Sequence, residues 1–108
     1  MRVLVTGAFG YFGRVLIPTL RAEDFVVTAL GRTPPAPPPA SDGVDCAFGD
    51  LHDLDLHARL AGVDAVVALH GLNPRRSNAD PTAAVRDHVS ATARLATAAR
   101  AVGVRRLI

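Results

Sequence analysis

The chain has 108 residues, 49% hydrophobic and 20% charged, with a formal net charge of +2. That length holds one domain with one small core, and the composition excludes wholesale disorder. No apolar run approaches the ~20 residues of a membrane span, no signal-peptide core opens the chain, and the basic residues are scattered rather than gathered into a nucleic-acid-binding face.

Arg2-Val-Leu-Val5 is a short apolar run closed by Thr6-Gly7, which reads as a buried parallel strand. Helical spacing of Phe12, Val15, Leu16, Thr19 and Leu20 predicts a helix from about Tyr11 to Ala22, kinked or loosened at Pro18. Phe25 to Leu30 is a second strand, ending at Gly31-Arg32. Five prolines in the segment from Thr33 to Gly43 exclude a helix and predict a stiff surface loop, with a polyproline ligand for a binding module as the other reading. Val44 to Phe48 is a third strand. It carries Cys46, a small core residue and the only cysteine, in keeping with a reducing, cytoplasmic setting.

A short helix follows from Asp53, its candidate N-cap, to Leu60. Asp64 to Leu69 is a fourth strand, and His70 to Ala79 a polar loop. Asp80-Pro81 is a helix start, with Asp80 as cap and Pro81 at the first position. The helix should run unbroken to Val102 and bury Val85, Val89, Thr92, Ala96 and Ala99. Val104 to Ile108 begins a fifth strand.

Strands alternating with helices predict an α/β fold, a doubly wound parallel sheet of Rossmann type formed by residues 1–108, with segment 33–43 as its surface loop. The first strand runs directly into Gly7-Ala8-Phe9-Gly10-Tyr11-Phe12-Gly13, which opens the first helix. Gly7 allows a tight turn, Gly10 lets backbone approach a pyrophosphate, and Gly13 lets the helix pack closely. Free amides at the helix start would face phosphate.

The Gly-x-x-Gly-x-x-Gly spacing after Thr6 resembles the extended or atypical short-chain dehydrogenase/reductases, in particular the NAD-dependent epimerase/dehydratase family. Further resemblances are Leu30-Gly31-Arg32, Gly49-Asp50-Leu51 with Asp53, the strand from Asp64 to Gly71, and the stretch from Val89 through Gly103 to Arg106. They cover essentially the whole chain. The resemblance implies that Asp50 and Leu51 lie beside the adenine of a dinucleotide. It also implies that Leu69, His70 and Gly71 line the cofactor near a ribose. His70 departs from the family's small residue and would either bond the cofactor or point to solvent. Thr6, Gly7, Phe9, Gly10, Tyr11, Phe12 and Gly13 complete the expected cofactor set.

NAD binders tend to carry a carboxylate ~20 residues beyond the glycines to bond the ribose hydroxyl. Here Arg32 stands in that region, offering a fork for a 2′-phosphate, with Arg14 as a second candidate. NADP is therefore expected over NAD. The family's chemistry uses a Tyr-x-x-x-Lys pair with a serine or threonine. This chain has no lysine and only one tyrosine, Tyr11. No catalytic residue is assigned, and His52, His57 and His88 share no metal-ligand spacing. The sequence thus reads as the dinucleotide-binding amino-terminal part of an epimerase/dehydratase-type oxidoreductase, cut in its fifth strand and inactive alone. The other readings are a non-catalytic sensing module, or a half-domain completed by a partner, for instance a homo-oligomer joined through the open sheet edge.

Overall fold

The computed structural model describes residues 1–34, 43–71 and 74–108. Five parallel strands form one sheet: β1 (Arg2–Thr6), β2 (Val26–Gly31), β3 (Asp45–Phe48), β4 (Ala65–Ala68) and β5 (Arg106–Leu107), in the order β3-β2-β1-β4-β5. The chain winds outward from β1 to β3, then crosses to β4 on the other side. The Rossmann-type expectation holds. The proline-rich segment falls outside the described residues over 35–42.

Alternation along β1 divides the core into two layers. Val3 and Val5 face Val27, Ala29 and the partly buried Leu16, Ile17 and Leu20 of α1 (Gly13–Ala22). Leu4 faces Leu30, Val66, α2 (Leu56–Leu60) and α5 (Ala91–Ala101). Successive strand side chains point to opposite faces, so a two-sided apolar strand feeds both layers. The helix α1 is continuous through Pro18. Its inner face is Leu16, Ile17 and Leu20. Phe12 and Val15, expected in the buried stripe, are exposed.

Three boundaries differ from expectation. The α2 helix starts later, because the Asp55 carboxylate, rather than Asp53, caps it by accepting from the Ala58 amide at 3.2 Å. Pro74–Ala79, read as loop, is a short helix, α3. The long helix is not uniform. It comprises α4 (Pro81–Val85), a π-helical turn (Arg86–Ser90) and α5. Asp80 does cap α4, accepting from the Ala83 amide, with Pro81 behind it. At the π turn the Ala91 amide bonds to the Arg86 carbonyl, five residues back. The buried face of the long helix runs through Asp87, Ala91, Leu95, Ala98 and Ala99, while Val85 and Val89 face outward.

Candidate functional site

The strands β1, β2, β3 and β4 end together: Thr6 pairs in register with Leu30 and Ala68, and Gly31 with Phe48. Connections leave β1 toward β2 on one side and return to β4 on the other. Open α/β sheets form their crevice at such a reversal, beyond the carboxyl ends of the strands. An open cleft of about 390 Å³ lies here.

Of the thirteen residues singled out from the sequence, ten line this cleft: Thr6, Gly7, Phe9, Gly10, Arg32, Asp50, Leu51, Leu69, His70 and Gly71. Tyr11, Phe12 and Gly13 do not. Tyr11 and Phe12 are exposed, their rings packed edge to face. Gly13 is buried against the turn itself, where a side chain would strike the Ala8 carbonyl.

The glycine turn is built by backbone constraint. Gly7 sits at φ +62°, and a side chain there would collide with the Leu69 carbonyl, so the turn lies directly on the end of β4. The Gly10 amide donates to the Gly7 carbonyl at 3.1 Å, and the Arg14 amide to the Gly10 carbonyl at 3.2 Å. No side chain caps the start of α1. Phe9 folds its ring over Gly31 and stacks on Phe48 at 5.2 Å, making one apolar wall. Arg14 is held to the turn, its Nε donating to the Phe9 carbonyl at 3.3 Å, and is not part of the cleft lining beside Arg32.

Two ion pairs cross the mouth from the π turn. Arg32 Nη2 stands 2.6 Å from Asp87 Oδ1, and Arg86 Nη1 donates to Asp50 Oδ2 at 2.8 Å. The other Asp50 oxygen accepts the His52 amide at 2.8 Å. That backbone bond, with Arg86, holds the Asp50 carboxyl below its usual range. The side-chain bond to Asp87 holds the Arg32 guanidinium still more firmly in its charged form.

His70 neither points to solvent nor stands free. Its Nδ1 lies 2.8 Å from the Thr6 hydroxyl and its Nε2 2.8 Å from the Thr92 hydroxyl. Burial pushes its pKa down. Cys46 is partly buried beside the Val44 carbonyl, and burial raises its thiol pKa, as suits a packing residue. Among the described residues no group of three His, Cys, Asp or Glu side chains could hold a metal, and no helix is long and apolar enough to cross a membrane.

A model of the NAD dependent epimerase/dehydratase family matches residues 3–108. The chain belongs to that family. It is 35% identical over its full length to a UDP-glucose 4-epimerase of Mycolicibacterium smegmatis, covering 37% of that protein. It is 40% identical over its full length to a 3-diazoavenalumate denitrifying reductase of a Streptomyces species, covering 36% of it. Among solved structures, MoeE5 in complex with UDP-glucuronic acid and NAD superposes with a TM-score of 0.88 and 34% identity, over 99% of this chain and 35% of MoeE5. The chain thus spans little more than a third of the length of these relatives.

Within this family member, sequence reasoning missed Asp87 and Ala91 in the cleft, along with Leu30, Gly31, Thr33, Gly49 and Arg76. Gly31 and Gly49 have a local signal, since each ends a strand beside a residue of the expected cofactor set. Asp87 has one too: it precedes Ala91 by four residues and Leu95 by eight, the spacing of a shared helix face, but the stripe expected from Val85 and Val89 lies on another side. Arg94 was also missed: its guanidinium binds the Leu51 carbonyl at 2.8 Å and the Leu54 carbonyl at 3.3 Å, fixing the loop that carries Asp50.

Proposed function

We propose that residues 1–108 are a Rossmann domain that binds a nicotinamide dinucleotide for an epimerase/dehydratase-type oxidoreductase. The observation that carries this reading is the cleft at the strand reversal, roofed by the Gly7–Gly13 turn and the uncapped start of α1. In this reading the turn from Thr6 to Gly13 takes the pyrophosphate, Asp50 and Leu51 flank the adenine, and Leu69, His70 and Gly71 lie along the inner ribose. A bound dinucleotide would supply a hydride acceptor. The chain's own groups bind and orient it. With no lysine and Tyr11 as its sole tyrosine, this chain alone should bind without turnover.

At the outer ribose we favour NADP(H). The end of β2 offers Gly31 and Arg32 and no carboxylate, and a guanidinium suits a 2′-phosphate. Calorimetric titration with NAD(H) and NADP(H) tests both levels. Binding of neither would refute the dinucleotide site. Equal affinities, unchanged by Arg32→Ala, would refute only the NADP preference. For the whole protein, the UDP-sugar bound to MoeE5 makes a nucleotide sugar the substrate class to try.

The free Cys46 thiol suits the cytoplasm, the location we propose.

A further inference from the structure

We infer that Asp87 is a specificity-determining residue that competes with a 2′-phosphate for Arg32 and so holds down the preference for NADP(H). The inference rests on the proposed dinucleotide site. It adds a residue on the π turn to a discrimination otherwise assigned to the end of β2.

The pair is asymmetric. The Arg32 side chain is 55% exposed and that of Asp87 only 6%, with 2.6 Å between their charged atoms. Arg32 can leave at little cost in hydration, because water reaches it already. Asp87 cannot be left behind as cheaply, since a buried carboxylate without its cation loses both solvent and partner. A phosphate that draws Arg32 away therefore strands a buried negative charge beside its own. A free ribose hydroxyl asks nothing of Arg32 and leaves the pair closed.

Two nearby basic groups are not placed to replace Arg32. Arg86, the preceding residue on the turn, is engaged by Asp50 at 2.8 Å. His70 lies near enough to feel Asp87 electrostatically, but its burial favours the neutral ring. Both carboxylates thus engage a cation at the mouth of the cleft. Discrimination between two ligands is a difference of affinities, and an internal anion lowers it by opposing the more negative one.

The test titrates the 108-residue chain and its Asp87→Asn variant with NAD(H) and NADP(H). NADP(H) should bind Asp87→Asn about tenfold more tightly than it binds the unchanged chain, while NAD(H) moves by less than about twofold, the size expected for releasing one close charge pair. Adding Arg32→Ala to Asp87→Asn should abolish the gain. An equal change for both cofactors, no change, or a gain that survives Arg32→Ala would overturn the inference. The last result would point to Arg76, which also lines the cleft. If the unchanged chain binds neither cofactor, the dinucleotide reading falls and the inference with it. If Asp87→Asn does not fold, the unchanged chain still decides. The Arg32 Nε–H and Asp87 carboxyl NMR signals should shift on adding NADP(H) and stay near their free positions with NAD(H). Identical shifts with both would overturn the inference.

Discussion

His70 Nε2 stands 2.8 Å from the Thr92 hydroxyl, joining the end of β4 to α5 across the floor of the cleft. Its other ring nitrogen meets Thr6 at the end of β1, whose hydroxyl also accepts the Leu69 amide at 3.2 Å. One imidazole thus ties three elements. Burial lowers its pKa first, and His88 and Arg32 act in the same direction against the opposing pull of Asp87. The folded state prefers the neutral ring, while the unfolded chain takes up a proton near the ordinary 6.5. Stability from this site is full above that pH and is lost as pH falls below it. The melting temperature should drop more steeply between pH 7.5 and 5.5 for the unchanged chain than for His70→Gln. Parallel curves would show that His70 carries no such linkage.

Two glycines of positive φ give a second expectation. Gly7 and Gly62 both have positive φ, at +62° and +75°. A methyl group at Gly62 meets open space, whereas at Gly7 it strikes the Leu69 backbone. Gly62→Ala should therefore cost only the backbone preference, about 1 kcal/mol. Gly7→Ala adds a collision that moves the turn off β4, for about 2–4 kcal/mol in all, and should weaken dinucleotide binding at least tenfold. Denaturant melts and titrations of both variants check this. Equal costs would mean that the turn can move aside freely.

The alternation of strands and helices, the glycine turn and most of the cleft are legible in the sequence because each depends on local pattern. Apolar runs such as Arg2 to Val5, glycines next to strand ends and the Asp80-Pro81 start are signals within a few residues. What sequence misses depends on contacts between distant elements. The pair Arg32–Asp87 spans 55 residues, and Arg94 reaches back to Leu51 and Leu54. Asp87 shares a helix face with Ala91 and Leu95, and taking the face of Val85 and Val89 as the buried one leaves it outside. His70 stands out as unusual, but its two threonine partners come from β1 and α5, and no spacing reveals them.

Arg94 yields a prediction about dynamics. Its two bonds to loop carbonyls are made outside the loop, while Asp53 and Leu54 amides bond within it to the Asp50 carbonyl at 2.9 and 3.0 Å. Removing the guanidinium frees the loop to open locally without unfolding α5. Arg94→Ala should cost about 1 kcal/mol overall and speed hydrogen exchange at the Asp53 and Leu54 amides, leaving Leu95 and Ala98 protected. Unchanged exchange at Asp53 would show that the loop holds itself.

The π turn makes the sharpest test of packing. The face expected from the sequence would bury Val89 and Ala96, and leave Leu95 at its edge. With the Ala91 amide bonded to Arg86, Leu95 instead has no exposed surface and Val89 is 61% exposed. Leu95 packs in the layer that includes Leu4, Leu60 and Val66. Leu95→Ala leaves a cavity there and should cost about 2–5 kcal/mol. Val89→Ala removes atoms already in water and should stay within about 0.5 kcal/mol. Denaturant unfolding separates the two registers cleanly. A large loss at Val89 with a small one at Leu95 would mean that the other face of the helix is the buried one, and Asp87 would then turn away from Arg32 as well.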